Sequence, residues 1–97
     1  MSKLRDLFEK YSGEYRKFEE VPHKLSPRPD VCAFLLLDRL LPESSQLGRA
    51  MISATGYDVI YLDVDLEALE HRATGPDIMT LCQCGVRLTG NGLEMFV

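Results

Sequence analysis

Leu4, Leu7, Phe8, Tyr11, Tyr15 and Phe18 recur at helical spacing, so the start of the chain predicts an amphipathic helix over 3–20 with one aromatic stripe. Pro22 ends it, and Gly13 in its middle costs about 1 kcal/mol relative to alanine and invites a bend. Pro22, Pro27 and Pro29 around Ser26 make 22–29 a breaker-rich linker to a second helix over 29–41. Pro29 suits a first helical turn because its missing N–H would have no partner there, and Asp30 complements the positive end of the helix dipole. Nine of the eleven residues from Val31 to Leu41 are apolar, which predicts burial on several sides.

After Pro42 the pattern loses its period. Ser44 or Ser45 suits the cap of a short helix through Ile52, whereas Arg49 to Thr55 equally suits an edge strand, and both readings stay open. Residues 58–64 alternate as a strand, with Ile60, Leu62 and Val64 on the helix-facing side and Val59, Tyr61 and Asp63 on the other. Asp65 has the placement of an N-cap for a helix over 66–72 with Leu66 and Leu69 inward. Thr74 with Asp77 three residues on predicts a capping box opening a helix over 76–84, with Ile78, Leu81 and Cys82 inward and Gly85 just beyond its end.

The last residues read as a hairpin of strands 86–89 and 93–97. A Gly90-Asn91 loop sets Leu88 opposite Leu93 and Arg87 opposite Glu94, keeping apolar side chains on one face and an ion pair on the other. An Asn91-Gly92 loop would instead pair Arg87 with Phe96. The expected fold is one α+β domain over 1–97, a small antiparallel or mixed sheet with helices mainly on one face.

Composition narrows the function classes. The net charge of −4, from 11 basic and 15 acidic residues, argues against a nucleic-acid binder, which needs a basic surface. The acid is concentrated after residue 30, where nine acidic residues face four basic ones; all four lysines, Lys3, Lys10, Lys17 and Lys24, lie before it, and read as a solvated helix face. The longest apolar run, Val31 to Leu37, is far short of the roughly 20 residues a membrane span needs, and the polar start Met1 to Asp6 offers no export signal. A cytoplasmic protein with three reduced thiols, Cys32, Cys82 and Cys84, is therefore expected.

Three constellations carry possible chemistry. Val59 to Leu66 is an apolar strand delivering Asp63 and Asp65 two residues apart, with Asp58 before it; such carboxylates hold Mg²⁺ in phosphoryl transfer. These eight residues resemble the first motif of the haloacid dehalogenase superfamily. That resemblance implies an aspartate nucleophile and a second aspartate as acid/base, and so a metal-dependent phosphohydrolase-like or nuclease-like activity. No Gly-Thr or Gly-Val follows, and capping by Asp65 and exposure of Asp63 account for both residues without catalysis. Cys82 and Cys84, with Cys32, His23 and His71 elsewhere, offer a thiol or zinc site, against which stands the ordinary state of buried free cysteine. The heaviest feature is aromatic: Phe8, Tyr11, Tyr15 and Phe18, four of the chain's eight aromatics, fall within eleven residues and either close the core or pair two chains. The expectation is a small non-catalytic protein-interaction module without cofactor or metal. It associates with itself, most simply as a homodimer, or with another protein, and engages neither nucleic acid nor membrane.

Overall fold

A computed structural model describes residues 2–22, 24–41, 51–90 and 92–96. Helix α1 (Ser2–Lys10) is followed by two 3-10 turns at Ser12–Glu14 and Phe18–Glu20, then by α2 (Pro29–Leu40). Strands β1 (Ile52–Gly56) and β2 (Val59–Leu62) precede helices α3 (Leu66–Arg72) and α4 (Gly75–Gln83), and a hairpin of β3 (Val86–Thr89) and β4 (Gly92–Phe96) ends the chain. The four strands lie in the order β1-β2-β4-β3, every pair antiparallel. The α+β reading holds, with one strand more than the 58–64, 86–89 and 93–97 set.

That extra strand is β1, inside the stretch left open between helix and strand; the candidate caps Ser44 and Ser45 lie outside the described residues. Its pairing to β2 runs from Gly56↔Val59 to Ile52↔Leu62, with a bulge between Ile52 and Ala54. Asp58 turns the hairpin at φ 62°, a left-handed conformation that aspartate tolerates better than most residues.

The first helix is much shorter than 3–20. It stops at Lys10, and the backbone then tightens through Glu14 N–H to Tyr11 O and Tyr15 N–H to Ser12 O. Gly13 and the left-handed Arg16, at φ 66°, break the continuing helix, and the Arg16 N–H donates to Cys82 O at the end of α4 at 2.9 Å. A tertiary hydrogen bond thus replaces helical ones that Ser12 and Gly13 would have supported poorly. At its other end, α1 has its Leu4 N–H bound to Glu70 Oε1 of α3 at 2.9 Å, a carboxylate at the positive end of the helix.

Leu4, Phe8, Cys32, Ala33, Leu36, Leu37, Leu69, Ile78 and Leu81 from the helices meet Leu62, Val86, Leu93 and Met95 from the sheet in one core. Helix α2 is less enclosed than its composition predicts. Cys32, Ala33, Leu36 and Leu37 are buried, but Leu35 is 42% exposed and Phe34 only half-buried, because α4 packs against one side of it.

Local signals elsewhere behave as predicted. Asp65 Oδ1 accepts from Ala68 N–H at 3.1 Å, and Thr74 and Asp77 exchange both bonds of a capping box. Gly85 sits past α4 at φ 96°, where a side chain would be strained. Asp65→Ala and Thr74→Ala are each expected to lose about 1 kcal/mol, read as a lower urea midpoint with an unchanged slope. The β3–β4 register sets Leu88 opposite Leu93 and Arg87 opposite Glu94. Glu94, 7% exposed, accepts from Arg87 Nε at 3.2 Å and Nη2 at 3.1 Å through Oε2, and from Thr89 Oγ1 at 3.3 Å through Oε1.

Candidate functional site

The aromatic stripe turns inward. Phe8 is 7% exposed in the core, one helical turn from Leu4, and Tyr11 and Phe18 are half-buried against that core. The 3-10 turns, not a continuous helix, carry the stripe round the end of α4. Tyr11 also closes over Gly75, where a Cβ would stand 3.1 Å from its hydroxyl. Tyr15, half-buried, lines with Phe8 a groove of about 620 Å³ between α1 and β3, walled by Arg5 and Glu9 on one side and Leu88 and Thr89 on the other. Most of the area these rings offer is therefore spent within the chain.

The aspartates of the strand end are separated in role. Asp58 is the exposed turn residue of the β1–β2 hairpin. Asp63 is exposed, its backbone N–H bound to Met51 O, and Asp65 commits Oδ1 to the start of α3. Among the described residues no group of three or more His, Cys, Asp or Glu side chains converges as a metal site.

The three cysteines are free and buried. Burial, with the negative charge of Glu14 adding to it, pushes the Cys82 thiol up to about 11. Burial pushes Cys84 up to about 12, helped by the charge of Cys32 and by a hydrogen bond to it. Both thiols are therefore neutral near pH 7, the opposite of an activated nucleophile or a ready metal ligand. Cys84 has Cys32 of α2 as its sulfur partner, an association the C-x-C spacing with Cys82 does not reveal. His71 is exposed on α3, and His23 lies outside the described residues.

Sequence reasoning did not single out the rim of the sheet. All five residues of β1 are exposed, Ile52 at 41%, and Tyr57 beyond it is 95% exposed. Met51-Ile52-Ser53-Ala54-Thr55-Gly56-Tyr57 contains no charge and no proline. That run is plain in the sequence, where an edge strand over Arg49 to Thr55 is one of two open readings, and the strand order decides for the strand. β3, at the opposite rim, carries Arg87 and lies beside α1.

No protein-family model matches the sequence, and no curated protein or solved structure matches the chain. Among the described residues no helix is long and apolar enough to cross a membrane.

Proposed function

We propose that this chain is a non-catalytic interaction module that pairs with a second copy of itself along β1. The observation that carries the reading is the exposed, uncharged edge of β1. Sheet edges expose a row of backbone N–H and C=O groups, and proteins that stay apart blunt them with charges, prolines or a covering element. β1 has an uncharged, proline-free run along the edge, and among the described residues β2 is its sole neighbour in the sheet. An antiparallel strand is complementary to itself under a two-fold axis, so one surface serves both partners and the assembly closes as a dimer. The run is neutral although the chain carries −4, so the two copies meet where their charges are absent. A domain of 97 residues also has little burial to spare, and continuing the sheet adds to it. Three free buried thiols suit a reducing cytoplasmic setting, and this module works there without cofactor or metal.

Light scattering across a dilution series tests the reading, using the wild-type chain and Ala54→Lys. Wild type is expected to show twice the 11.0 kDa chain mass at high concentration and to dissociate on dilution. Lysine at exposed position 54, the middle of β1, puts a cation on the pairing edge of each copy, so the variant is expected to remain monomeric with unchanged circular dichroism. A wild type that is monomeric throughout, or a variant that dimerises equally well, overturns the proposal.

A further inference from the structure

The pairing of β1 with β2 fixes which backbone groups the free edge offers. Gly56 and Val59 close the two-residue turn Tyr57-Asp58 and so bond to each other, and Ala54 with Tyr61 is the next bonded pair. Thr55, between them and opposite Ile60, therefore turns its N–H and C=O away from β2. Beyond the bulge the Asp63 N–H donates to Met51 O, which makes Ile52 and Leu62 a pair without bonds to each other. Ile52 thus also turns both backbone groups outward, and among the described residues no bond outside the sheet ladder engages the backbone of either residue.

The bulge sets the spacing of those groups. Three residue steps from Ile52 to Thr55 lie against two steps from Leu62 to Ile60. The outward groups consequently stand about 6.7 Å apart, the two-residue step of a regular strand, and the bulged edge can still pair. Directly opposite residues share a face, so Ile52 and Thr55 lie on the side of Leu62 and Ile60, which is the side of the core. Ile52 is nevertheless 41% exposed, and Thr55 is exposed with it.

Two outward positions a regular step apart are complementary to the same two in reverse order. On the strength of the self-pairing proposed for β1, we infer that the copies join in one register, Ile52 facing Thr55 of the second copy and Thr55 facing its Ile52. The two-fold axis then passes between the two bulges at Ser53-Ala54. Each facing pair exchanges both its bonds, so every outward group at these positions is satisfied, whereas a register centred on Ile52 or on Thr55 engages one of the two and leaves the other unpaired. The same register sets β-branched side chains against each other at both pairs, covers the exposed Ile52, and continues the four-stranded sheet of one copy into that of the other.

Crosslinking reads the register. Facing residues of a bonded pair have Cα atoms about 5.5 Å apart, within the span of a disulfide, whereas Ile52 stands about 8 Å from Ile52 of the second copy, beyond the roughly 7 Å limit. Ile52→Cys and Thr55→Cys chains mixed in equal amounts under oxidised glutathione are expected to give a reducible dimer on denaturing gels, and either variant alone is expected to give little. The native cysteines are buried, and the wild-type chain is the control. Thr55→Pro removes an N–H that β2 does not use, so the chain is expected to keep its circular dichroism while its dimer, followed by light scattering, weakens at least about tenfold. No crosslink in the mixture, self-crosslinking of a single variant as strong as the mixture's, or a Thr55→Pro dimer as tight as wild type's overturns the register. Where the wild type is dimeric in the same light-scattering series, that result leaves self-pairing standing; a wild type monomeric at every concentration overturns both.

Discussion

Phe8→Ala is expected to destabilise the fold by about 3–5 kcal/mol, the usual cost of emptying a buried phenylalanine site. A chain of this size has only about 5–15 kcal/mol in total, so the urea midpoint should fall by about a fifth or more. The reason is position: Phe8 is 7% exposed and packs with Leu4, which is wholly buried, where α1 crosses α4 and β3. Tyr15→Ala, in the α1–β3 groove and half-buried, is expected to cost about 1 kcal/mol, since its ring is only partly enclosed. The contrast separates two uses of the aromatic stripe. Rings serving chiefly to join two copies would leave monomer unfolding unchanged in Phe8→Ala and weaken association instead. Urea melts on dilute protein and light scattering on concentrated protein read the two effects independently.

Elements whose ends are written in neighbouring residues were legible in the sequence. Thr74 and Asp77 satisfy each other's backbone groups within one turn, Asp65 caps Ala68, and Pro29 opens α2 because its ring cannot continue a helix backwards. The β3–β4 register was legible for the same reason, since just one loop choice pairs Arg87 with Glu94 and Leu88 with Leu93 together.

What long-range contacts decide was not legible. The stripe Phe8, Tyr11, Tyr15, Phe18 has a spacing that a helix and a helix broken into 3-10 turns both satisfy. Its end at Lys10 depends on Arg16 finding Cys82 O, and its beginning on Glu70 of α3 finding Leu4 N–H. β1 has no period at all over Ile-Ser-Ala-Thr-Gly; it is a strand because β2 pairs with it. The candidate sites follow the same division. Caps explained Asp65, whereas Cys84 meets Cys32, 52 positions earlier in the sequence.

The cysteines give the fold a weakness toward alkali. In the unfolded chain Cys82 and Cys84 ionise near pH 9, whereas in the folded chain burial, with Glu14 and Cys32 adding to it, delays them to about 11 and about 12. Below pH 9 both states hold these protons, and the thiols' contribution to stability is fully present. Above it the unfolded state binds fewer protons than the folded one, so stability falls as pH rises and goes on falling until the folded thiols ionise. Each thiol removes up to about 1.4 kcal/mol per pH unit, so together they are expected to take up to about 5 kcal/mol between pH 9 and 11. That loss rivals the Phe8→Ala deletion although no atom is removed. Urea unfolding under reductant at pH 8, 9, 10 and 11 measures it, with Cys82→Ala/Cys84→Ala as the reference chain. The double variant starts lower at pH 8 because it leaves two small cavities, but it is expected to lose much less stability per pH unit. Tyrosine and lysine ionisation is common to both chains and cancels in the difference. Parallel decline of the two chains would place the alkaline weakness in those groups and not in the buried sulfurs.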